Sequence, residues 1–216
     1  MNNKMFCFQC QETMKNTGCT NRGMCGKPAD VANLQDLLIY LLKGIAFWGT
    51  RGRNMGVSHE ETNLFVAQAL FATITNANFD VDRFVEMIRE AITRREALRD
   101  EAQAKCQELH GNPCPGNGPD WASWTPASYE VETLLEKAVT VGVMAGENLN
   151  EDIRSLRELI IYGLKGMAAY ADHAYVLGAQ DPEILDFIQD MLEATTNSDL
   201  TGEELTSLVL KTGEMG

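Results

Sequence analysis

Long apolar runs are missing from this chain. The longest, LLIYLL over Leu37–Leu42, stops at Lys43, whereas a bilayer-spanning helix needs about 20 apolar residues, so no membrane span or membrane partner is expected. The first residues, MNNKMFCFQCQ, carry a lysine with no apolar stretch behind it. They do not read as a secretory signal, and the cytoplasm is the expected location. Positive charge is also short: 18 Lys and Arg stand against 31 Asp and Glu, a net charge of −13. Such a surface repels nucleic acid and anionic lipid. Histidine occurs three times and never before His59. Strand-like alternation is scarce, and its best example, Val139–Val143, continues a helical pattern that begins at Leu134. No G-x-S-x-G elbow and no dinucleotide fingerprint occur. Gly18 and Gly23 have Walker-like separation, but Met24 and Cys25 stand where Lys and Ser/Thr belong.

What the sequence does contain is helix. Apolar residues make up 44% of the 216, enough for a packed core. Leu34, Leu37, Leu38, Leu41, Leu42 and Ile45 recur at three- and four-residue spacing and give one apolar face. Ser58 with Glu61, Ser155 with Glu158 and Thr201 with Glu204 read as capping boxes. Asp181-Pro182 places a capping acid before a proline at the first helical position. Four regions follow: a Cys- and Gly-rich segment over 1–29, a helical region over 30–106, an irregular Pro/Gly-rich linker over 107–126, and a second helical region over 127–216.

The helical regions repeat each other. NLQDLLIYLLKGIAFW (Asn33–Trp48) corresponds to SLRELIIYGLKGMAAY (Ser155–Tyr170) at an offset of 122. LFATITNANFDVDRF (Leu70–Phe84) corresponds to MLEATTNSDLTGEEL (Met191–Leu205) at an offset of 121. Two matches in the same order at nearly one offset indicate a duplicated unit of about three helices. The expected fold is all-α: two duplicated three-helix bundle units preceded by a Cys-rich loop. Lys43-Gly44 and Lys165-Gly166 are expected to let helices pack closely at glycine.

The chemistry concentrates at the N-terminus. Cys7, Cys10, Cys19 and Cys25 form a C-x2-C-x8-C-x5-C pattern with Gly18, Gly23 and Gly26 flanking the latter two. Glycine lets a backbone bend around a bulky object. Residues 1–30 carry Lys4, Lys15, Arg22 and Lys27 against Glu12 and Asp30, the one locally basic stretch of an acidic chain. Cations lower thiol pKa and offset cluster charge. Structural disulfides are rare in the cytoplasm, so metal ligation is the first reading. Four thiolates suit a cubane iron–sulfur cluster or a zinc tetrahedron. Structural zinc usually uses two short chelates or includes histidine, and Met5, Phe6, Phe8 and Met24 offer an apolar shell. Iron–sulfur is favoured; zinc stays open, as does a duplicated helical scaffold that has lost its cluster. A fully ligated cubane has no open iron and serves one-electron transfer.

The stretch Met5–Ala46, with FCFQCQET, NTGCT, GMCGKP and NLQDLL, resembles the N-terminus of hybrid-cluster proteins, also called prismane proteins or hydroxylamine reductases. LFATITNANFD (Leu70–Asp80) and IRSLRELIIYGLKGMAAYADHA (Ile153–Ala174) resemble the same family, so the likeness runs nearly end to end except for the linker. The resemblance implies that Cys7, Cys10, Cys19 and Cys25 ligate a [4Fe-4S] cluster. It further implies that electrons come from a redox donor protein and pass to a hybrid iron–sulfur–oxygen cluster held by His, Glu and Cys of later α/β domains. No residue here matches a hybrid-cluster ligand, so this chain by itself is expected not to reduce hydroxylamine.

Other candidates read as structural. Cys106 and Cys114 with His110 between them lack a fourth ligand. His59 belongs to a helix start, and His173 beside Asp172 to surface or packing. Arg94, Arg95, Glu96 and Arg99 read as a solvated helix face, and the ten methionines as gap-fillers at core spacing.

Overall fold

The computed structural model describes residues 4–112, 116–146 and 149–216. Among the described residues there are eight α-helices and no sheet: α1 (Ala29–Arg53), α2 (Glu60–Ala72), α3 (Val81–His110), α4 (Asp120–Ser123), α5 (Val131–Ala138), α6 (Glu151–Val176), α7 (Pro182–Ala194) and α8 (Gly202–Met215). The all-α architecture expected from the periodicity is what forms.

Helix α1 is the axis of the molecule. The six residues of its apolar face are fully buried, each contributing on the order of 2 kcal/mol of transfer free energy. By length and composition α1 is apolar enough to span a bilayer, although its longest uninterrupted apolar run is only Leu37–Leu42. Most of that stretch is buried inside the fold, so the core uses its apolar surface.

The duplication is visible in the helices themselves. α2 and α7 are both 13 residues long and begin at 60 and 182, the same offset of 122 that separates the repeated sequences. α1 and α6 are 25 and 26 residues long. The two units exchange partners. α1 packs on α7 and α2 packs on α6, while α3 lies along α1 and α8 along α6. Gln68 Nε2 donates to Asp172 Oδ1 (2.9 Å) at the α2–α6 contact, and the equivalent α1–α7 pair, Thr50 and Asp190, lies at 3.4 Å. One continuous core takes residues from both units.

Several local expectations are corrected. Of the capping boxes, only Thr201 with Glu204 forms. α6 starts earlier, at an Asn150 cap whose side chain accepts from Asp152 and Ile153 N–H, which leaves Ser155 inside the helix. α2 is preceded by His59, which makes no cap bond and instead pairs with Glu101 at 2.8 Å. Asp181-Pro182 caps α7 as expected. The 107–126 linker is partly helical. α3 runs to His110 and ends where Gly111 turns left-handed (φ +75°), and α4 follows. Conversely, α5 stops at Ala138, and Val139–Gly142 is a turn, consistent with a β-branched run ending in glycine.

Arg95 is not on a solvated face. It is fully buried, with its guanidinium donating to the carbonyls of Trp121 (3.2 Å) and Trp124 (2.7 Å) and pairing with Glu96 (2.7 Å). Trp48 Nε1 donates to Ala122 O (2.9 Å). These bonds hold the α4 segment onto α1 and α3. There a β-carbon at Gly44 would run into the Trp121 carbonyl, so close approach requires glycine. Gly166, its repeat mate, has open space instead.

Candidate metal centre

The N-terminal loop is shaped by short backbone pairings. Cys7 N–H donates to Cys19 O (3.0 Å) and Cys19 N–H to Cys7 O (2.8 Å), and Met5 N–H adds a bond to Thr20 O (2.9 Å). Residues that exchange both bonds across an antiparallel pair put their side chains on the same face. Cys7 and Cys19 therefore stand side by side. The chain between them reverses through a turn in which Lys15 and Asn16 have positive φ (54° and 58°). Gly18 (φ +132°) lies so close to the Phe6 ring that a β-carbon would approach it to 2.5 Å.

The loop is tied to the helices. Asn33 Nδ2 of α1 donates to Lys4 O (3.0 Å), and Thr75 N–H donates to Gln9 Oε1 (3.1 Å). Lys27 is buried and donates to Gln35 Oε1 (2.6 Å), and Gln35 Nε2 reaches Asn78 O (3.2 Å). Met5, Cys19, Ala29 and Ala32 form a small apolar cluster with Cys7 against it. Of the expected apolar shell, Met5 is buried and the Phe6 and Phe8 rings lie 6.0 Å apart, while Met24 is 59% exposed.

The four cysteines are not equally placed. Cys19 is 3% exposed. Burial alone would raise its pKa, but hydrogen bonds from the backbones of Met14 (3.5 Å) and Met24, with a smaller contribution from the polar contact to Thr13 Oγ1 (3.7 Å), outweigh it and hold the thiol below its usual range. Cys10 opens the turn closed by Thr13 N–H to Cys10 O (3.1 Å), and Cys25 is exposed on the Gly23–Gly26 turn. A β-carbon at Gly23 would sit 3.0 Å from Cys25 Sγ. None of the four is in a disulfide. Among the described residues, no three His, Cys, Asp or Glu side chains gather around one point as ligands of a single metal ion would. The structure thus pairs Cys7 with Cys19 and leaves Cys10 and Cys25 on flanking turns. The same four thiols are the donor set of a zinc tetrahedron and of a cubane cluster. The donor set fits an iron–sulfur cluster by its chemistry: four thiols in one glycine-bent loop, with N–H groups already aimed at sulfur.

The remaining candidates stay structural. Cys106 is buried on α3, and Cys114 lies outside the described residues. His173 meets the Phe71 ring edge-on at 5.4 Å.

One set of residues was missed by sequence reasoning. Asp36 and Lys43 of α1 and Glu158 and Lys165 of α6 line cavities between these helices, and Cys7 lines the same cavity as Lys165. Asp36 and Lys43 keep some exposure through the cavities, but their charged ends sit deep among protein atoms. Burial raises the Asp36 pKa, which Lys165 pulls back, and burial lowers that of Lys165, which Asp36 pulls back. The repeat offset carried the signal: 36 and 158, like 43 and 165, differ by 122. The lysines of the two LKG segments therefore share a cleft with acids of the other copy without forming ion pairs with them among the described residues.

Comparison with known proteins finds relatives over almost the whole chain. Residues 5–216 match the Prismane/CO dehydrogenase family. The chain is 52% identical over 212 residues to a hydroxylamine reductase of Desulfitobacterium hafniense, covering 98% of this chain and 37% of that protein. It is 51% identical over 211 residues to one of Nitratidesulfovibrio vulgaris, with 98% and 37% covered. It is 46% identical over 213 residues to one of Petrotoga mobilis, with 99% and 39% covered. The chain spans little more than a third of the length of these relatives. Family match and relatives agree over nearly every residue, and the chain belongs to the Prismane/CO dehydrogenase family.

Proposed function

We propose that this chain is the electron-relay portion of a hydroxylamine reductase, with Cys7, Cys10, Cys19 and Cys25 holding a [4Fe-4S] cluster. The observation that carries the reading is the Cys7–Cys19 pair, placed on one face by mutual backbone bonds, in a loop with donors aimed at sulfur. A cubane ligated by four thiolates supplies one-electron transfer with no open iron. The protein's own part is to bend the loop, to cover Cys19 with Met5 and Ala32, and to anchor it through Asn33, Gln9 and Lys27.

In the whole protein, electrons from a donor protein pass through this site to a hybrid cluster in the remainder. There hydroxylamine takes up two electrons and two protons to give ammonia and water. The 216 residues supply no counterpart of the hybrid-cluster ligands, so turnover is assigned to the remainder. The setting is the cytoplasm, where thiols stay reduced.

Anaerobic purification followed by iron, sulfide and zinc analysis tests this. About four irons and four sulfides per chain, with a broad cysteinyl–iron band in the visible spectrum, are expected. One zinc and no colour would overturn the relay and leave a zinc-stabilised helical module.

A further inference from the structure

The cavities between α1 and α6 form a cleft whose walls are repeat mates. Asp36 and Glu158, Ile39 and Ile161, Tyr40 and Tyr162, and Lys43 and Lys165 each differ by 122, and all eight line it. The charges cross over. Lys165 is the strongest charged neighbour of Asp36, and Glu158 is that of Lys43. The two ends nevertheless differ. At the Lys43 end is a cavity of about 180 Å³ lined by Arg154, Arg157 and the 141–145 segment. At the Lys165 end the N-terminal loop closes the cleft with Phe6, Cys7, Phe8 and Gln9. The symmetry is broken by what covers each end: the 141–145 segment at one and the cysteine-bearing loop at the other.

Lys165 is 4% exposed, and among the described residues no hydrogen bond or ion pair holds its ammonium. Its ammonium opens on the cleft, where little water reaches it and no direct partner balances its charge. Its electrostatic neighbours are Asp36, Lys27, Glu158 and the Cys7 sulfur. Asp36 offsets part of the charge. The negative sulfur of a cluster ligand would offset more, and that attraction grows when an electron is added.

We propose that Lys165 is a positioning residue for the cluster bound through Cys7, its charge entering from the second repeat to stabilise the reduced state and raise the reduction potential. The inference rests on the cluster reading above. No bond is made or broken: one electron enters from a low-potential donor, and the nearby ammonium offsets its charge. Net charge around an iron–sulfur centre is a principal determinant of its potential. Lys43 has the same local sequence and crossed acid partner but no cysteine beside it, so it serves as an internal control.

The test compares the anaerobically purified chain with Lys165→Met, Lys165→Arg and Lys43→Met. Iron and sulfide contents are measured first, then midpoint potentials by EPR-monitored titration. Lys165→Met is expected to shift the reduction equilibrium toward the oxidised form by about tenfold, which is 59 mV for one electron. Lys165→Arg and Lys43→Met are expected to stay within about threefold of the parent, or ~30 mV. A Lys165→Met chain that holds its cluster at the parent potential overturns the inference alone, as does an equal shift from Lys43→Met. A parent chain without iron and sulfide overturns the cluster reading and this inference with it. Should Lys165→Met fail to fold, Asp36→Asn gives the complement: removing the acid that offsets Lys165 moves the equilibrium toward the reduced form. No movement there, or movement the other way, overturns the proposal.

Discussion

Replacing Arg95 by methionine keeps the aliphatic stem and deletes the guanidinium. Two donors are lost from the Trp121 and Trp124 carbonyls, at 3.2 and 2.7 Å, in a side chain with no solvent exposure. A hydrogen bond from a charged donor is worth about 1.5–3 kcal/mol, and breaking a buried charged network typically costs about 3–5 kcal/mol. Glu96 keeps a partner in Arg99, so the loss falls mainly on the two carbonyls. For a chain of this length, each kcal/mol shifts the melting temperature by roughly 2–4 °C, so a fall of about 10 °C is expected. Urea unfolding followed by far-UV circular dichroism gives the free energy, and tryptophan fluorescence reports whether the α4 segment has lifted. Lysine at this position keeps the charge but lacks the fork that reaches both carbonyls, and should recover only part of the loss. A change below about 1 kcal/mol would refute the view that Arg95 fastens this segment.

Cys19→Ser should abolish iron and sulfide binding while Cys106→Ser leaves both unchanged, read by metal analysis and the visible spectrum. The repeat mates Gly44 and Gly166 should respond with opposite sign. Alanine at 44 meets the Trp121 carbonyl and should cost about 1–3 kcal/mol, whereas alanine at 166 meets open space and should stabilise by roughly 0.5–1 kcal/mol in urea unfolding. Thr201→Ala should cost ~1 kcal/mol and Ser155→Ala close to none, because only Thr201 caps a helix. Hydrogen bonds from Lys137 and Tyr40 hold the Asp120 carboxyl below the usual range. The stability it contributes is therefore present above the unfolded value near ~3.9 and lost as pH falls through the lower folded value. The gap in urea midpoint between parent and Asp120→Asn should narrow on acidification; a gap independent of pH would contradict this.

Helix type and the duplicated arrangement were legible because periodicity and a constant offset are properties of the chain itself. The four cysteines stand out as a candidate site for a related reason: their spacing is local. What the sequence concealed is tertiary. Ser58 and Ser155 look like caps, but a better start at Asn150 and a paired His59 displace them. Arg95 sits in a charged run indistinguishable from a solvent face until the α4 segment is laid over it. Lys165 resembles the lysine of any helix, and only the meeting of α1 and α6 shows that it faces Asp36 and Cys7. Local pattern reports what a residue can do, whereas burial and partner identity depend on where distant segments come to rest.

The exchange of partners between the two units has a consequence for synthesis. The α7-facing side of α1 and the α6-facing side of α2 emerge from the ribosome well before the helices that cover them. At ordinary translation speeds the wait is on the order of ten seconds, far longer than a helix needs to form. During that interval the nascent first half presents an uncovered apolar groove. A neighbouring nascent copy could supply an equivalent pair of helices, so crowded polysomes are where dimers with swapped halves would arise.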